Sequence, residues 1–397
     1  MFEHLATLPA DPILGLMSLF RNDTNPNKVD LGVGVYKNED GETPVLASVL
    51  AAETRLLSQQ VSKAYVSPAG NPAFNAAMSA LLLGKSSALA EGRFAAVQTP
   101  GGCGALRVAA ELIKVANPSA TIWVSNPTWG NHIPLLGNAG LAIRQYPYFD
   151  AATSSVDFPA MMSSLAEVKA GDLVLLHGCC HNPTGADLSP EQWRQIAVLA
   201  QEIGFTPFVD MAYQGFADDI EGDAYSLRYL AENLPEVVVA ASCSKNFGVY
   251  RDRVGLVGLL AANPGSATAA VTHMQSIVRG IYSMPPDHGA ALVAEVLNDP
   301  QLRTLWEAEV AEMRGRINDL RATFSAAMRA RLGTNRFDFV QRQKGMFSFL
   351  GLSEVEVIRL RAEYSIYMLN SSRASISGFN SANLDYVCDA IAHVVSA

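Results

Sequence analysis

The sequence predicts an α/β protein, with a mainly parallel sheet covered by helices on both faces and a smaller α+β domain beside it. Three observations carry this reading. Short apolar runs rich in β-branched residues recur through the middle of the chain and are near-continuous, as strands buried on both faces are. Helical patterns separate them, and polar or Gly-rich loops follow several runs directly. In a parallel sheet such loops, past the carboxyl ends of the strands, gather at one crevice. In the last third the alternation gives way to a long amphipathic helix and a strand-like MFSFLGL.

Each element has a local reason. Ala95–Gln98 is a short apolar run leading into the turn Pro100-Gly-Gly-Cys-Gly104 and a helical stretch, Ala105–Ala116. TIWVS (121–125), DLVLLH (172–177), TPFVD (206–210), EVVVAA (236–241) and GLVGLL (255–260) read as strands. Between them, Ser189 caps a helix, Pro190 suits its first position and Gln192 completes a capping box. Trp193, Ile196, Ala197, Ala200 and Ile203 then recur at helical spacing, and Gly204 stops the helix. Leu302, Trp306, Met313, Ile317, Leu320 and Phe324 mark the long helix, and another is expected near Glu354–Tyr364. The expected division is an N-terminal segment (1–45) packing with the small domain, a large domain (46–312) and a small C-terminal domain (313–397).

Composition narrows the function. In 397 residues, 49% are apolar and 17% charged, against about 25% charged in an average soluble protein. Disorder is excluded and a large core implied. The net charge of −9 makes the chain a poor general binder of nucleic acid or anionic membrane. The uncharged spans 115–143 and 254–272 are broken by Pro, Gly or Asn, so they read as buried strands rather than membrane spans. The N-terminus has no basic start followed by an apolar stretch, so no signal peptide is expected. Cysteines 103, 179, 180, 243 and 388 are odd in number and lack zinc-finger spacing, which fits reduced thiols in the cytoplasm. His177 and His181, four apart in a Pro-containing loop, do not form a helical ligand pair, and no metal is expected.

The chemistry lies past the strands. Gly102 and Cys103 open a helix, where free N–H groups and the helix dipole suit a phosphate. Gly-rich turns are common, and this one is neither a P-loop nor GxGxxG. Asp210 ends one strand, a position an acid also takes as a simple turn former. Lys245 follows another strand; burial lowers a lysine's pKa and makes it nucleophilic toward carbonyls. A surface lysine on a loop is the plain alternative. Together, a phosphate cradle, an acid and a buried lysine match pyridoxal phosphate: the lysine forms a Schiff base with the aldehyde, and the acid keeps the pyridinium nitrogen protonated.

At SCSKNFGVYRDRVG (242–255), HGCCHNPTG (177–185) and VDMAYQGF (209–216) the chain resembles the class I aminotransferases of the aspartate and aromatic amino acid group, which are fold-type I pyridoxal phosphate enzymes. The resemblance extends from DPILGL (11–16) and LGVGVYK (31–37) to GMFSF (345–349) and SSR (371–373). It implies a seven-stranded large-domain sheet and ping-pong transamination with 2-oxoglutarate. It implies that Lys245 carries the cofactor and moves the substrate proton, that Asp210 pairs with the pyridinium nitrogen, and that Tyr213 and Asn182 bind the phenolic oxygen. Trp129 stacks on the ring, and His132 supports Asp210. Gly102, Cys103, Ser242, Ser244 and Arg253 hold the phosphate, with Tyr65 reaching over from the other subunit of a homodimer. For substrate, it implies that Arg373 grips the α-carboxylate, that Gly34 and Phe347 line the same region with Trp129 and Asn182, and that Arg279 crosses the dimer interface to a side-chain carboxylate.

Three departures stand out. Cys103 replaces the family's usual Ser or Thr, Met284 stands where strict aspartate enzymes have Asn, and Ala64 precedes Tyr65 where they tend to carry Asn. The last two remove polar anchors near the distal arginine and add apolar room. The expectation is dual specificity for aromatic amino acids and for aspartate or glutamate. The alternatives are a strict aspartate aminotransferase and a lyase on the same fold. A nucleotide-binding oxidoreductase would leave Lys245 without a role. Intact Lys245, Asp210, Arg253 and Arg373 oppose a catalytically dead binding protein.

Overall fold

In the computed structural model, which describes residues 1–8 and 12–396, the centre is a seven-stranded sheet. Its strands are β1 (Phe94–Pro100), β2 (Thr121–Asn126), β3 (Ala142–Pro147), β4 (Leu173–His177), β5 (Thr206–Met211), β6 (Val237–Ser242) and β7 (Val254–Leu260). Their spatial order is β1-β7-β6-β5-β4-β2-β3, and only β7 runs antiparallel to its neighbours. The predicted mainly parallel sheet is therefore present. Asp11, the first residue of the DPILGL motif, lies outside the described residues.

Alternation along the central strands explains their apolar sequences. Val174 and Leu176 of β4 belong to one buried cluster and Leu173 and Leu175 to another; Val237, Val239 and Ala241 of β6 part from Val238 and Ala240 in the same way. Both faces are covered, so every position is apolar. β3 (AIRQYP) was not predicted. It is an edge strand, mostly exposed, and its polar residues hide it from an apolar-run search.

Seven helices matter below: α1 (Pro12–Asn22), α2 (Gly101–Ala116), α3 (Pro190–Ile203), α4 (Pro264–Ile281), α5 (Pro300–Leu332), α6 (Glu354–Tyr364) and α7 (Leu384–Ser396). The expected start of α2 at Ala105 needs correction: the Gly-rich turn is itself the first turn of the helix. Helix α3 has the predicted capping box between Ser189 and Gln192, and Gly204 closes it in the left-handed conformation. Helix α5 runs 33 residues and passes through residue 313 without interruption. In the C-terminal region, Phe347–Phe349 pairs with Arg373–Ser375, and Val29–Asp30 from the N-terminal segment pairs with Ile366–Tyr367.

One glycine makes the sheet compatible with α2. A Cβ on Gly255 of β7 would lie 2.4 Å from the Gly101 carbonyl carbon and 2.7 Å from the Ala241 oxygen. Both are backbone atoms that cannot yield, so only glycine lets the start of α2 pass this close.

Candidate active site

Strand register assembles the site. His177 at the end of β4 is the direct partner of Asp210 on β5; Ser242 at the end of β6 faces Gly255 on β7; and Pro100 on β1 faces Val254. Four strand ends and the start of the antiparallel β7 therefore meet at one edge. A cavity of about 260 Å³ lies there.

The cavity brings together the cofactor- and substrate-binding residues proposed from the sequence except Tyr65 and Arg279; His132, Met284 and Ala64 do not line it. Gly102, Cys103, Ser242, Ser244 and Arg253 line one part of it; Lys245, Asp210, Tyr213, Asn182 and Trp129 line another; Gly34, Phe347 and Arg373 complete it. Tyr65 is 93% exposed, and Arg279, in the last turn of α4, is exposed and bonds to the Ser283 hydroxyl.

The loop carrying Lys245 is fixed from behind. Phe247 stacks on Trp306 of α5 at 4.5 Å between ring centres, and the Trp306 indole N–H donates to the Asn246 carbonyl at 2.7 Å. The Asn246 amide donates to the Gln214 carbonyl at 3.2 Å, tying this loop to the one bearing Tyr213. Such a ring pair adds about 0.5–1.5 kcal/mol beyond area burial. The Lys245 amine lies 4.7 Å from the centre of the Tyr213 ring. Although the residue keeps some exposure, desolvation lowers the amine's pKa, and Asp210 only partly offsets this.

Behind Asp210 runs a buried hydrogen-bonded chain whose proton positions can be deduced. Burial pushes His177 down to about 3, so it is neutral. The Asn182 backbone N–H donates to its Nδ1 at 3.5 Å, which leaves the proton on Nε2. That proton is donated to the Thr128 hydroxyl at 3.2 Å, and the hydroxyl donates onward to His132 Nδ1 at 2.8 Å. His132 Nε2–H then donates to Asp210 Oδ2 at 3.0 Å. Desolvation alone would raise the Asp210 pKa; the His132 hydrogen bond and nearby charge outweigh it and hold the carboxyl below its usual range. Thr128 and His177 were not assigned this role from the sequence. Thr128 lies within the quoted NPTWGNH, but its link to His177 depends on the placement of strands.

Toward the phosphate-sized end, no side chain caps the first turn of α2, and that turn carries no acidic residue. The Ser242 hydroxyl bonds that of Ser244 at 3.1 Å, and Arg253 Nη1 donates to Ser244 at 3.4 Å and to the Tyr250 carbonyl at 3.0 Å. A Cβ on Gly101 would come within 2.4 Å of the Arg253 guanidinium. Uncapped N–H groups, two hydroxyls and a guanidinium form a donor set for an anion.

At the other end Arg373 is buried, donates to the Gly32 carbonyl at 2.7 Å and lies 4.3 Å from the centre of the Phe347 ring. Its Nε and the side-chain oxygen of buried Asn182 have no partner within the protein. Phe347 is held by fully buried Arg321, which donates to the Gly345, Val340 and Phe347 carbonyls and to Ser348. Sequence reasoning also missed Tyr250, Leu106 and Ile13, which line the cavity. Tyr250 lies inside the quoted SCSKNFGVYRDRVG, and its hydroxyl accepts the Tyr36 N–H at 2.9 Å, tying the Gly34 segment to the Lys245 loop.

Among the described residues, one group of His, Cys, Asp or Glu side chains is spaced for a metal: Cys179, Cys180 and Asp223. The Asp223 carboxylate already accepts the Gly215, Ala217 and Asp218 N–H groups, and both thiols are pushed up, Cys180 to about 12 by burial. These are the marks of a structural cluster.

The residues of the cavity fit pyridoxal phosphate on the chemistry of the donor set: an anion cradle, an ionised acid and an amine of lowered pKa share it, and two of its lining residues, Asn182 and Arg373, carry a buried polar atom without a partner. Comparison with known proteins agrees. The chain is 46% identical to the aspartate aminotransferase of Salmonella typhi over 396 residues, all of both chains. It is 45% identical to the aromatic-amino-acid aminotransferase of Pseudomonas aeruginosa, over 99% of this chain and 98% of that one. The structure of aromatic-amino-acid aminotransferase from Burkholderia pseudomallei, covalently bound to pyridoxal phosphate, superposes with a TM-score of 0.97 at 40% identity and covers 99% of each chain. The family model for aminotransferases of class I and II matches residues 26–391, and the chain belongs to that family and is a transaminase.

Proposed function

We propose that the protein is a pyridoxal-phosphate-dependent aminotransferase that moves amino groups between aromatic or dicarboxylic amino acids and 2-oxoglutarate, as a homodimer in the cytoplasm. The observation that carries the reading is the convergence of Lys245, Asp210 and the anion cradle in one cavity whose far wall holds a buried, partly unpartnered arginine. When bound, pyridoxal phosphate supplies an aldehyde that exchanges with amines and a ring that accepts the electron pair left by the departing α-proton.

The chain's own residues do the rest. The uncapped turn at Gly102–Cys103, with Ser242, Ser244 and Arg253, binds the phosphate. Asp210, kept ionised by His132, holds a proton on the pyridinium nitrogen. Tyr213 and Asn182 would bind the phenolic oxygen, and Trp129 would cover the ring. Arg373 receives the α-carboxylate through its planar fork, which lysine cannot match. Lys245 takes the substrate α-proton at Nζ, and its lowered pKa keeps a share of the amine neutral for this. Closure around Gly34 and Arg373 would shut the substrate in and exclude water.

Two residues act from a second copy. Tyr65 and Arg279 lie outside the cavity of their own chain, and an exposed apolar set (Leu50, Leu57, Val61) precedes Tyr65 in sequence. A homodimer would cover this set, with Tyr65 completing the phosphate site and Arg279 meeting a side-chain carboxylate. All five cysteines are free, which suits a reducing compartment.

Dual specificity rests on the Met284 and Ala64 positions, where apolar side chains leave Arg279 few tethers, and on Leu106 and Ile13 in the cavity wall. With 2-oxoglutarate as acceptor, aspartate and phenylalanine should have kcat/KM values within about 10⁴-fold, a span of about 5.5 kcal/mol. A wider preference for aspartate contradicts the dual reading in favour of a strict aspartate enzyme. Product analysis excludes a lyase if each amino acid yields its 2-oxo acid. Met284→Asn should shift the ratio toward aspartate.

A further inference from the structure

The strip of chain from Val29 to Tyr36 changes partners beside the cavity. Val29 and Asp30 pair with Ile366 and Tyr367, the Leu31 N–H donates to the Tyr367 carbonyl at 2.8 Å, and the Ser375 N–H donates to the Leu31 carbonyl at 2.7 Å. Arg373 reaches the Gly32 carbonyl, and the Ser377 hydroxyl donates to the Val35 carbonyl at 2.9 Å. These partners all belong to the C-terminal region. At Tyr36 the partner changes: its N–H donates to the hydroxyl of Tyr250, in the loop that carries Lys245 and Arg253.

Tyr250 is joined to the anion cradle through its main chain. Its carbonyl accepts from Arg253 Nη1 at 3.0 Å, and the same nitrogen donates to the Ser244 hydroxyl at 3.4 Å. The residue is half-buried and lines the cavity. Burial pushes its hydroxyl up to about 12, so the oxygen stays neutral and takes the amide proton through a lone pair. The strip has little slack where it passes the substrate end. A Cβ on Gly34 would lie 3.0 Å from Phe347 Cζ, and the Arg373 guanidinium lies 4.3 Å from the centre of that ring. A small displacement of the strip therefore changes the room over Phe347 and Arg373.

We propose that Tyr250 is a positioning residue for the substrate: its hydroxyl pins the strip at Tyr36 to the cofactor-binding loop and so sets the height of Gly34 over the Arg373 end of the cavity. The inference rests on the reading of this cavity as an aminotransferase site, and it names the contact that holds the substrate end against the cofactor end. The hydroxyl acts through the backbone of residues 34–36 and touches no reacting atom. The link to Arg253 runs through the main-chain carbonyl, so a change of side chain removes the first link and leaves the second. Arg373 and Gly34 lie at the end that receives the α-carboxylate, which every amino acid carries. Loss of the pin should therefore weaken aromatic and dicarboxylic substrates alike, by the about 3- to 10-fold that one neutral hydrogen bond is worth.

The test compares the loaded wild-type protein with Tyr250→Phe, which keeps the ring. Hydrogen–deuterium exchange read by mass spectrometry should show the peptide containing Tyr36 taking up one more deuteron at early times in the variant, with the peptides of the central sheet unchanged. At saturating 2-oxoglutarate, KM for aspartate and for phenylalanine should each rise by about 3- to 10-fold, while kcat changes by less than about twofold. Binding of succinate, a dicarboxylate without an amino group, followed by the visible absorption of the cofactor, should weaken by the same factor. Unchanged exchange in the Tyr36 peptide overturns the pin. Unchanged KM, a fall in kcat at constant KM, a loss confined to one substrate class, or faster loss of cofactor from the variant overturns the positioning role. Each of these results leaves the functional reading intact so long as the wild type transaminates. A wild-type protein that transaminates neither amino acid overturns that reading, and the proposal with it.

Discussion

The edge of the sheet at Asp210 and the surface at Tyr65 and Arg279 are built in opposite ways. At Asp210 the groups are buried or half-buried, strand register sets His177 beside Asp210, and each proton in the chain from Asn182 through His177, Thr128 and His132 has one position. Tyr65, in a segment without regular structure, and Arg279, in the last turn of α4, are both exposed and lie outside the cavity of their own chain. The first region is complete within one chain and specifies the chemistry. On the proposed reading, the second would be completed by association and would specify which side chains are accepted. Damage to the first should therefore affect all substrates alike, and damage to the second should discriminate among them.

The largest effect should come from Lys245. Lys245→Ala removes the proton carrier and should lower kcat for aspartate and phenylalanine alike by about 10⁴-fold or more, as measured with 2-oxoglutarate. Arg373→Lys should follow, costing about 10²–10³-fold in kcat/KM for every amino acid, because the paired bonds to the α-carboxylate are lost. A selective loss for one substrate class would blur the contrast between the two regions. Arg279→Ala should give that selectivity: a fall of about 10²-fold for aspartate, with phenylalanine changed by less than about fivefold. Equal losses would move Arg279 into the common machinery.

The smallest effect on rate, though a clear one on stability, concerns His177. Its folded-state pKa of about 3 lies below the ordinary 6.5 because burial disfavours the charged ring. The unfolded chain therefore binds the proton more readily. The contribution is fully present above pH 6.5 and is lost as the pH falls toward 3, by on the order of 4 kcal/mol. His177→Gln should flatten the unfolding free energy measured by denaturant between pH 6.5 and 4. An unchanged slope would assign the acid sensitivity to other groups.

What the sequence reveals follows the same division. Leu173–Leu176 and Val237–Ala241 are legible as strands because both faces are buried and these positions are all apolar. Ala142–Pro147 is not, because an edge strand open to solvent needs no apolar pattern. The sequence places the start of α2 four residues after Gly101, since glycine's poor helix propensity masks a turn that the crossing over Gly255 requires. Lys245, Asp210 and the Gly-rich turn were legible because each breaks an expectation at a strand end. The Thr128–His177 link and the grip of Arg321 on the Phe347 strand were not, because they join segments that only the fold brings together. The roles of Tyr65 and Arg279 came from family resemblance alone.

The central claim is that the Lys245 amine carries the cofactor. Borohydride reduction of the loaded protein followed by peptide mapping tests it most directly. The account predicts a single pyridoxyl-labelled peptide with the label on Lys245. A label on another lysine, or none on a protein that shows the cofactor's absorption, would contradict it.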